Sequence, residues 1–489
     1  MYKTLKLLLV VIAFGIFVYK AYVFLDPDFG WHYRMGEVIT NTGIPKTDPF
    51  SYTMASFPFV DHEWLTNKLV YFSYDEVGIF GLSLLFALVA FLAVFLAAKN
   101  NILLFLLATS AIIPFFGVRP QVQSWFYLSF LYLLLTSHKY WSKLRLLMPL
   151  FMLFWANMHG SYAIGVATLA LFLVAKMARL KRVEKADLIV IVFSVFATLV
   201  NPYGIGLWRE AWMQFTDTNL RWSITEWMPA VFSFNFPFMA LIALSGVFIW
   251  IYRTSLHLEK KVLYLVFLIQ AISSVRHVPL FVIIATPITL EAFKYFVGDL
   301  KKIKFGISRL RKGVKFALIG SLAIFAVQAY FALRGGESLS ENSFYPKEAV
   351  VFLKENDVCG RLFNDYGWGG YLIWKLPSEK LFIDGRMPSW RWNASLPTEA
   401  NWAMKEYSGV LSGENNLEKV FAKHGIGTVL VPVDRPESLF SKFARKIENI
   451  FNKEKPYKFK EDLVDKGWLE VFNDGKATIF KHPDCPLEI

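Results

Sequence analysis

The 489-residue chain is 55% hydrophobic and 17% aromatic, with a mean hydropathy of +0.40, only 19% charged residues and a formal net charge of +13. A soluble domain usually carries about a quarter charged residues, so the balance excludes an ordinary soluble protein and points to the membrane. The basic excess does not call for nucleic acid, because its distribution along the chain accounts for it.

Apolar runs fill the chain to about residue 333, and a tail of ordinary soluble composition follows. The runs predict about eleven membrane spans, at 5–25, 79–98, 101–117, 122–137, 146–157, 161–176, 187–200, 236–252, 262–275, 278–296 and 316–333. Several are short and broken by Pro, Gly or Asn, which is tolerated where protein or a cavity covers the freed backbone. The first run follows Lys3 and Lys6 but is long for a signal peptide, and Tyr19-Lys20-Ala21-Tyr22 offers no small-residue cleavage site, so it reads as an uncleaved span.

Eleven spans from a cytoplasmic amino terminus place the tail outside the cytoplasm. With charges inside a span assigned to its nearer end, the first 334 residues put 22 Lys and Arg on the inner side against 9 outside, and 5 acids inside against 11 outside. A basic excess in short inner loops is what fixes orientation, so the counts support a multi-pass plasma-membrane protein with this topology. Anchors are Lys139, Lys143 and Arg145; Arg179, Lys181, Arg182 and Lys185; and the run from Lys301 to Lys315.

Two domains are expected: a membrane domain over 1–334 with a large first outer loop at 26–78, and an extracytoplasmic domain over 335–489. The loop shows helical patterns near 33–42 and 61–77, the second with an apolar stripe suited to the interface, and turns at Thr47-Asp48-Pro49 and Phe57-Pro58. In the tail, Ala349–Lys354 reads as helix, Tyr371–Trp374 and Lys380–Ile383 as strands, and Gly427–Val433 as a buried strand before a Pro-flanked turn, giving an α/β or α+β fold. Cys359 and Cys485, the only cysteines, fit either a disulfide or two buried thiols.

Polar clusters recur at the outer ends of the spans. Asp26-Pro27-Asp28 with His32 and Arg34 directly follows the first span, where carboxylates are costly and therefore suggest function. Asp26 and Asp28 suit a general base or a divalent cation, Mg2+ or Mn2+, although Asp-Pro-Asp-Phe-Gly is also turn chemistry. Asp61 reads as a helix cap, leaving His62 and Glu63 to line a site; Thr66 stands where a zinc-protease helix needs a second His. Arg119 with Gln121 could grip an anionic headgroup or snorkel to the interface. Asn157 and His159 break an apolar stretch and make room for a ligand, or form a tight hairpin. Tyr203 and Glu226 bound the second outer loop, and Arg276 with His277 could supply a second cation for phosphate; both groups also suit an interfacial belt. The glycine-rich Asn364–Tyr371 stretch and Ile383-Asp384-Gly385-Arg386 read as sugar platforms or as turns between strands.

The Asp26-Pro27-Asp28 motif with its downstream His32, the odd-numbered span bundle and the outer soluble tail together resemble the glycosyltransferase C superfamily, nearest the bacterial relatives of protein O-mannosyltransferases and aminoarabinose transferases. The resemblance implies an enzyme that moves a sugar from a polyprenyl-phosphate donor to a glycan, lipid or protein acceptor, with Asp28 or Asp26 as base. Independently, the donor phosphate needs outer-side cations, which Arg119, Arg276 and His159 would supply, and in-line attack by the acceptor predicts inversion. Asp365-Tyr366-Gly367 is similar to a motif of oligosaccharyltransferase catalytic subunits, with Phe363-Asn364 where those carry paired tryptophans. Two rivals stand beside the enzyme: an envelope glycan-binding assembly protein, which would tolerate loss of both aspartates, and a transporter, which should show inverted repeats the sequence lacks.

Overall fold

The structure is a computed structural model that describes residues 2–233, 235–302, 307–433 and 457–485. It divides into two compact units: Met1–Asp26, Met35–Thr40 and Val60–Ser340 in one, and Pro27–Arg34, Asn41–Phe59 and Glu341–Ile489 in the other.

The first unit is helical. Its elements are α1 (Tyr2–Val23), part of α2 (Phe29–Thr42), α3 (Trp64–Ala98), α4 (Ile102–Ile112), α5 (Gln121–Thr136), α6 (His138–Leu144), α7 (Met148–Met158), α8 (Tyr162–Leu180), α9 (Lys185–Ala197), α10 (Gly206–Thr216), α11 (Leu220–Ser223), α12 (Phe236–Ile251), α13 (Leu258–Ser273), α14 (Val278–Lys302) and α15 (Ile307–Ser338). Five helices among the described residues, within α1, α3, α8, α14 and α15, are long and apolar enough to cross a membrane, and the apolar helices at Ile102–Phe115 and Phe236–Ile251 are shorter. Each of the eleven predicted runs is helical, and the chain is a multi-pass membrane protein.

Helix α14 is the hub. Its first thirteen residues, Val278–Leu290, are all buried, and it packs on α3, α4, α5, α12 and α13. On α3, Ala87, Ala90, Ala93 and Ala97 are buried where the helix meets its neighbours, the small-residue packing that lets helices approach without a hydrophobic drive between them. Two asparagines start helices: Asn101 Oδ1 accepts from Leu104 N–H, and Asn235 Oδ1 accepts from Phe238 N–H while its Nδ2 donates to Ala111 O. Ion pairs tie helices where basic loops were expected. Arg179 grips Glu259 through two nitrogens at 3.0 Å each, Lys176 and Trp141 donate to Asp187, and Lys260 meets Glu291. Within the expected basic run, Lys304 lies outside the described residues.

The second unit holds α16 (Lys347–Glu355), α17 (Gly369–Lys375), α18 (Ala403–Ser412), α19 (Leu417–His424) and α20 (Phe459–Asp465) around a four-stranded sheet of β1 (Arg361–Asn364), β2 (Ile426–Pro432), β3 (Leu469–Asn473) and β4 (Ala477–Lys481), ordered β1-β2-β4-β3. Strand β1 runs parallel to β2, and β4 is antiparallel to both β2 and β3. This is the small sheet-and-helix fold anticipated for the tail, and β2 is the anticipated buried strand; the turn after it lies outside the described residues from 434.

Two tail expectations need correction. Tyr371–Trp374 is helical within α17, because a four-residue apolar run carries no period of its own. The preceding 3-10 turn, with Trp368 Nε1 donating to Phe344 O, feeds Gly369-Gly370 into a helix whose Tyr371, Leu372 and Ile373 are all buried. Lys380–Ile383 is extended without joining the ladder: Leu381 pairs singly with Ser51 and Leu362. Cys359 and Cys485 form a disulfide.

Candidate active site

In the helical unit, Asp26 follows α1, Arg119 sits between α4 and α5, and Glu226 lies between α11 and α12. Arg119 bridges the two carboxylates, with Nε 2.6 Å from Asp26 Oδ2 and Nη1 2.7 Å from Glu226 Oε1. The Asp26 side chain is fully buried, whereas Glu226 is partly exposed. Gly117 permits this approach, since a Cβ there would stand 2.6 Å from the Phe24 ring. Burial by itself would raise the Glu226 carboxyl, but Arg119 and Arg276 outweigh it and hold Glu226 below the usual range. Arg276 lies over the Trp227 ring at 5.2 Å, and Ser274 Oγ donates to Glu226 O, so the Arg276-His277 turn and the second loop meet here. His277 stands edge-on to Trp227 at 6.3 Å.

Lys20 was not singled out in the sequence. It is buried in α1 and donates to Ile113 O at 2.5 Å and Pro114 O at 3.0 Å, closing the carbonyl end of α4 just before Gly117 and Arg119. A lysine in the last turn of an otherwise apolar span was its only signal.

A second cluster in the same unit centres on Glu63. Its Oε1 is 3.2 Å from His62 Nε2 and 3.3 Å from His159 Nε2. The Ser161 backbone N–H donates to His159 Nδ1 at 3.1 Å, which makes Nδ1 an acceptor and assigns the proton of a neutral ring to Nε2, facing Glu63. Ser124 Oγ, 2.9 Å from Nδ1, and Ser161 Oγ also stand beside the ring. Gly160 is needed here, because a Cβ would come within 2.6 Å of the His62 ring. Asp61 is not the helix cap expected of it: Glu63 is the N-cap of α3, without a side-chain cap bond, and Asp61 instead accepts from Glu63 N–H at 3.0 Å and from Asn67 Nδ2 at 2.8 Å in the turn before the helix. Burial lifts the Asp61 carboxyl to about 6. Burial pulls His62 down, but Glu63, Glu210 and Asp61 prevail and its value rises.

Not every predicted residue is available to a ligand. Asn157 accepts from Trp64 Nε1 and donates to Leu153 O and Val200 O, so its amide is spent tying α7 to its neighbours. Tyr203 donates its N–H to Asn201 Oδ1 in a tight turn and lies near enough to Asp61 for that charge to add to the burial that raises its phenol. Gln121 is the half-buried first residue of α5. Its neighbour Gln123 is the wired one, donating to Thr66 Oγ1 and accepting from Tyr127 OH. Thr66 in turn donates to Met158 O, and beside this link lies an apolar cavity of about 340 Å³ lined by Thr66, Leu69, Val70, Phe86, Tyr127 and Met158.

In the other unit, Asp28 Oδ1 accepts from Trp31 Nε1 at 3.0 Å, and His32 N–H donates to Asp28 O, the one-turn relation expected of the pair. The His32 ring packs on Trp31 at 3.6 Å, and Arg34 is half-buried. The tail glycines explain themselves here. A Cβ at Gly370 would fall 2.1 Å from Pro27 O, and one at Gly385 2.2 Å from Asp28 Oδ1. Asp384 Oδ1 and Oδ2 accept from Arg386 Nε and Nη2 at 2.8 and 2.7 Å, and Asp48 is 2.8 Å from the same Nη2. In the Asp365-Tyr366-Gly367 stretch, Asp365 accepts from Gly367 N–H and Tyr407 OH, a capped turn. Among the described residues no three His, Cys, Asp or Glu side chains converge as ligands for a metal ion.

No protein-family model matches the chain, and no curated protein matches it in sequence. Solved structures do match its fold. The oligosaccharyltransferase AglB of the archaeon Archaeoglobus fulgidus, in complex with an inhibitory peptide and a dolichol-phosphate, aligns over 100% of this chain and 75% of its own at 12% identity and a TM-score of 0.60. An apo oligosaccharyltransferase from Archaeoglobus fulgidus covers 87% of this chain and 69% of its own at 12% identity and a TM-score of 0.52. ArnT of Cupriavidus metallidurans, bound to undecaprenyl phosphate, covers 98% and 97% at 11% identity and a TM-score of 0.50. The chain therefore has the glycosyltransferase C fold.

Proposed function

We propose that this fold works here as a membrane glycosyltransferase, taking a sugar from a polyprenyl-phosphate carrier and passing it to an extracytoplasmic glycan, lipid or protein. The observation that carries the reading is the meeting, within one unit, of the carboxylate directly after the first span with Arg119, Glu226 and Arg276, in a fold otherwise found around lipid-phosphate ligands. Arg276 and Arg119 face the phosphate and stabilise the charge that develops as the anomeric C–O bond breaks. The base is one of the two first-loop aspartates, Asp28 or Asp26: it takes the acceptor hydroxyl proton, the acceptor oxygen bonds to the anomeric carbon from the opposite face, and polyprenyl phosphate leaves. Single displacement inverts the anomeric centre. The apolar cavity beside Thr66 and Met158 suits the first prenyl units, with His62 and His159 nearby on the polar side.

A divalent cation on Asp26 would share the carboxylate with Arg119, whose Nε stands 2.6 Å from Oδ2. The test is sugar transfer by the purified full chain in lipid, with a panel of polyprenyl-phosphate sugars. One of Asp28→Asn and Asp26→Asn should cut turnover by about 10²-fold or more, as loss of a general base does, and so name the base. A variant pair, Asp28→Asn and Asp26→Asn, that both bind and turn over like wild type would leave the binding protein as the better account. Retention in the product would remove single displacement, and abolition of transfer by a chelator would require a metal step.

A further inference from the structure

A second apolar cavity, of about 450 Å³, lies between α4, α12, α14 and α15, among Leu104, Leu107, Phe248, Phe293, Phe296 and Ala317. Its volume is within the roughly 300–1,000 Å³ of pockets that enclose small apolar ligands. Three polar side chains lie on its wall: Asn101, whose Oδ1 accepts from Leu104 N–H; Thr289, whose Oγ1 donates to Ala285 O; and Ser321. The rest of the lining is apolar and none of it is charged, so the interior offers mainly hydrocarbon contact.

Charge gathers where two wall-forming helices end. Leu300 and Gly313 both line the cavity; Lys301 and Lys302 directly follow the first, Lys312 precedes the second, and Lys315 follows the lining residue Val314. All four lysines are exposed. The sequence from 301 to 315 holds seven basic residues and no acid, and the nearby Asp299 meets Lys302 at 3.0 Å and accepts from Tyr252 OH at 3.2 Å. An apolar slot that ends at a cationic rim matches one molecule in both halves. We propose that it holds an acyl chain of an anionic membrane phospholipid, whose phosphate-bearing headgroup is received by Lys301, Lys312 and Lys315. This site is separate from the Arg119 and Glu63 clusters, and the proposal stands whatever the transferred sugar.

Native mass spectrometry of the detergent-purified full chain, titrated with phosphatidylglycerol or phosphatidylcholine of the same chains, tests it. A basic residue near an anionic surface is worth about fivefold in binding, so phosphatidylglycerol should be retained at least about tenfold better. Lys301→Gln/Lys312→Gln/Lys315→Gln, a change confined to exposed side chains, should bring the two lipids within about twofold of each other. Ala317→Trp, which fills the slot, should lose both. Equal retention of the two lipids by wild type, or an unchanged preference in the triple variant, overturns the proposal. Phosphatidylglycerol with a photoreactive chain end should cross-link to α4, α12, α14 or α15; labelling confined to other helices overturns it too.

Discussion

Arg119 holds two carboxylates through two different nitrogens, and that geometry sets what its replacement should do. Arg119→Ala strips the partner from a buried Asp26, and a buried charge left alone costs about 3–5 kcal/mol. Lysine restores the charge but not the fork, so Arg119→Lys should melt closer to wild type in detergent while transferring sugar as poorly as Arg119→Ala. An Arg119→Ala protein with an unchanged melting temperature would mean that Asp26 does not depend on it. Asp61 yields a pH prediction. Burial lifts its carboxyl to about 6 from an unfolded value near 3.9, so the folded chain binds this proton more tightly than the unfolded chain. Its contribution to stability is full below about pH 4, falls as pH rises through 6, and above that is lower by about 3 kcal/mol. Asp61→Asn should therefore gain on wild type between pH 4 and 7 in thermal melts, provided the Asn67 amide turns to accept. Any fall that the variant keeps above pH 6.5 belongs to His62, whose raised value stabilises the protonated ring at low pH and loses that effect as pH climbs through it. Much of this chemistry was legible as residue types: carboxylates, imidazoles and guanidinia at span ends stand out against apolar sequence. Their pairings were not, because Asp26 finds Arg119, and Glu63 finds His159, across about a hundred residues of chain that no local pattern spans. Lys20 was missed for a related reason, since a basic residue near the end of a first span also suits interfacial snorkelling.

At the level of elements, α3 is the instructive helix. The amphipathic 61–77 pattern and the apolar 79–98 run are one helical stretch, Trp64–Ala98, broken at Gly78 by φ +63 and ψ −172. That conformation is open to glycine and almost no other residue, at a cost of about 1–3 kcal/mol for a side chain. The joint lets the stripe that carries Leu69 and Val70 and the span that carries Phe86 line the same 340 Å³ cavity. Gly78→Ala should lower the melting temperature and weaken use of long-chain polyprenyl donors more than of short-chain analogues, read as a rise in KM for the long donor. An equal effect on both would place the joint outside lipid handling. Spans were readable because a run of roughly twenty apolar residues has one structural outcome in lipid. The tail was harder: Tyr371–Trp374 and Lys380–Ile383 are four-residue segments with four and three apolar residues, and what they become is decided by glycines and by distant partners such as Ser51.

For the whole molecule, the division into units separates what is contiguous in sequence. Pro27–Arg34 and Asn41–Phe59, both from the first loop, belong to the unit that contains the tail. The reason is visible at Arg386. Its guanidinium is buried, bonded by Asp384 and Asp48, and surrounded by Phe50, Phe59, Trp31 and Trp390 at 4.9 to 5.8 Å. Burial opposes the charge, but the two carboxylates more than offset it and keep Arg386 ionised. Of these partners only Asp384 and Trp390 come from the tail. A fragment of residues 341–489 would therefore expose the Arg386 cage and leave its charge with half its carboxylate partners, even with the Cys359–Cys485 bond intact. Such a fragment should be poorly soluble and melt without cooperativity, whereas joining residues 41–59 to it through a flexible linker should restore a cooperative transition. The same logic applies within the full chain: Asp48→Ala should weaken this unit by about 3–5 kcal/mol, seen as earlier proteolysis of the tail while the helical unit stays protected. If 341–489 alone melts as sharply as the linked form, the loop rests on a domain that was complete without it, and the Arg386 cage does not hold the unit together.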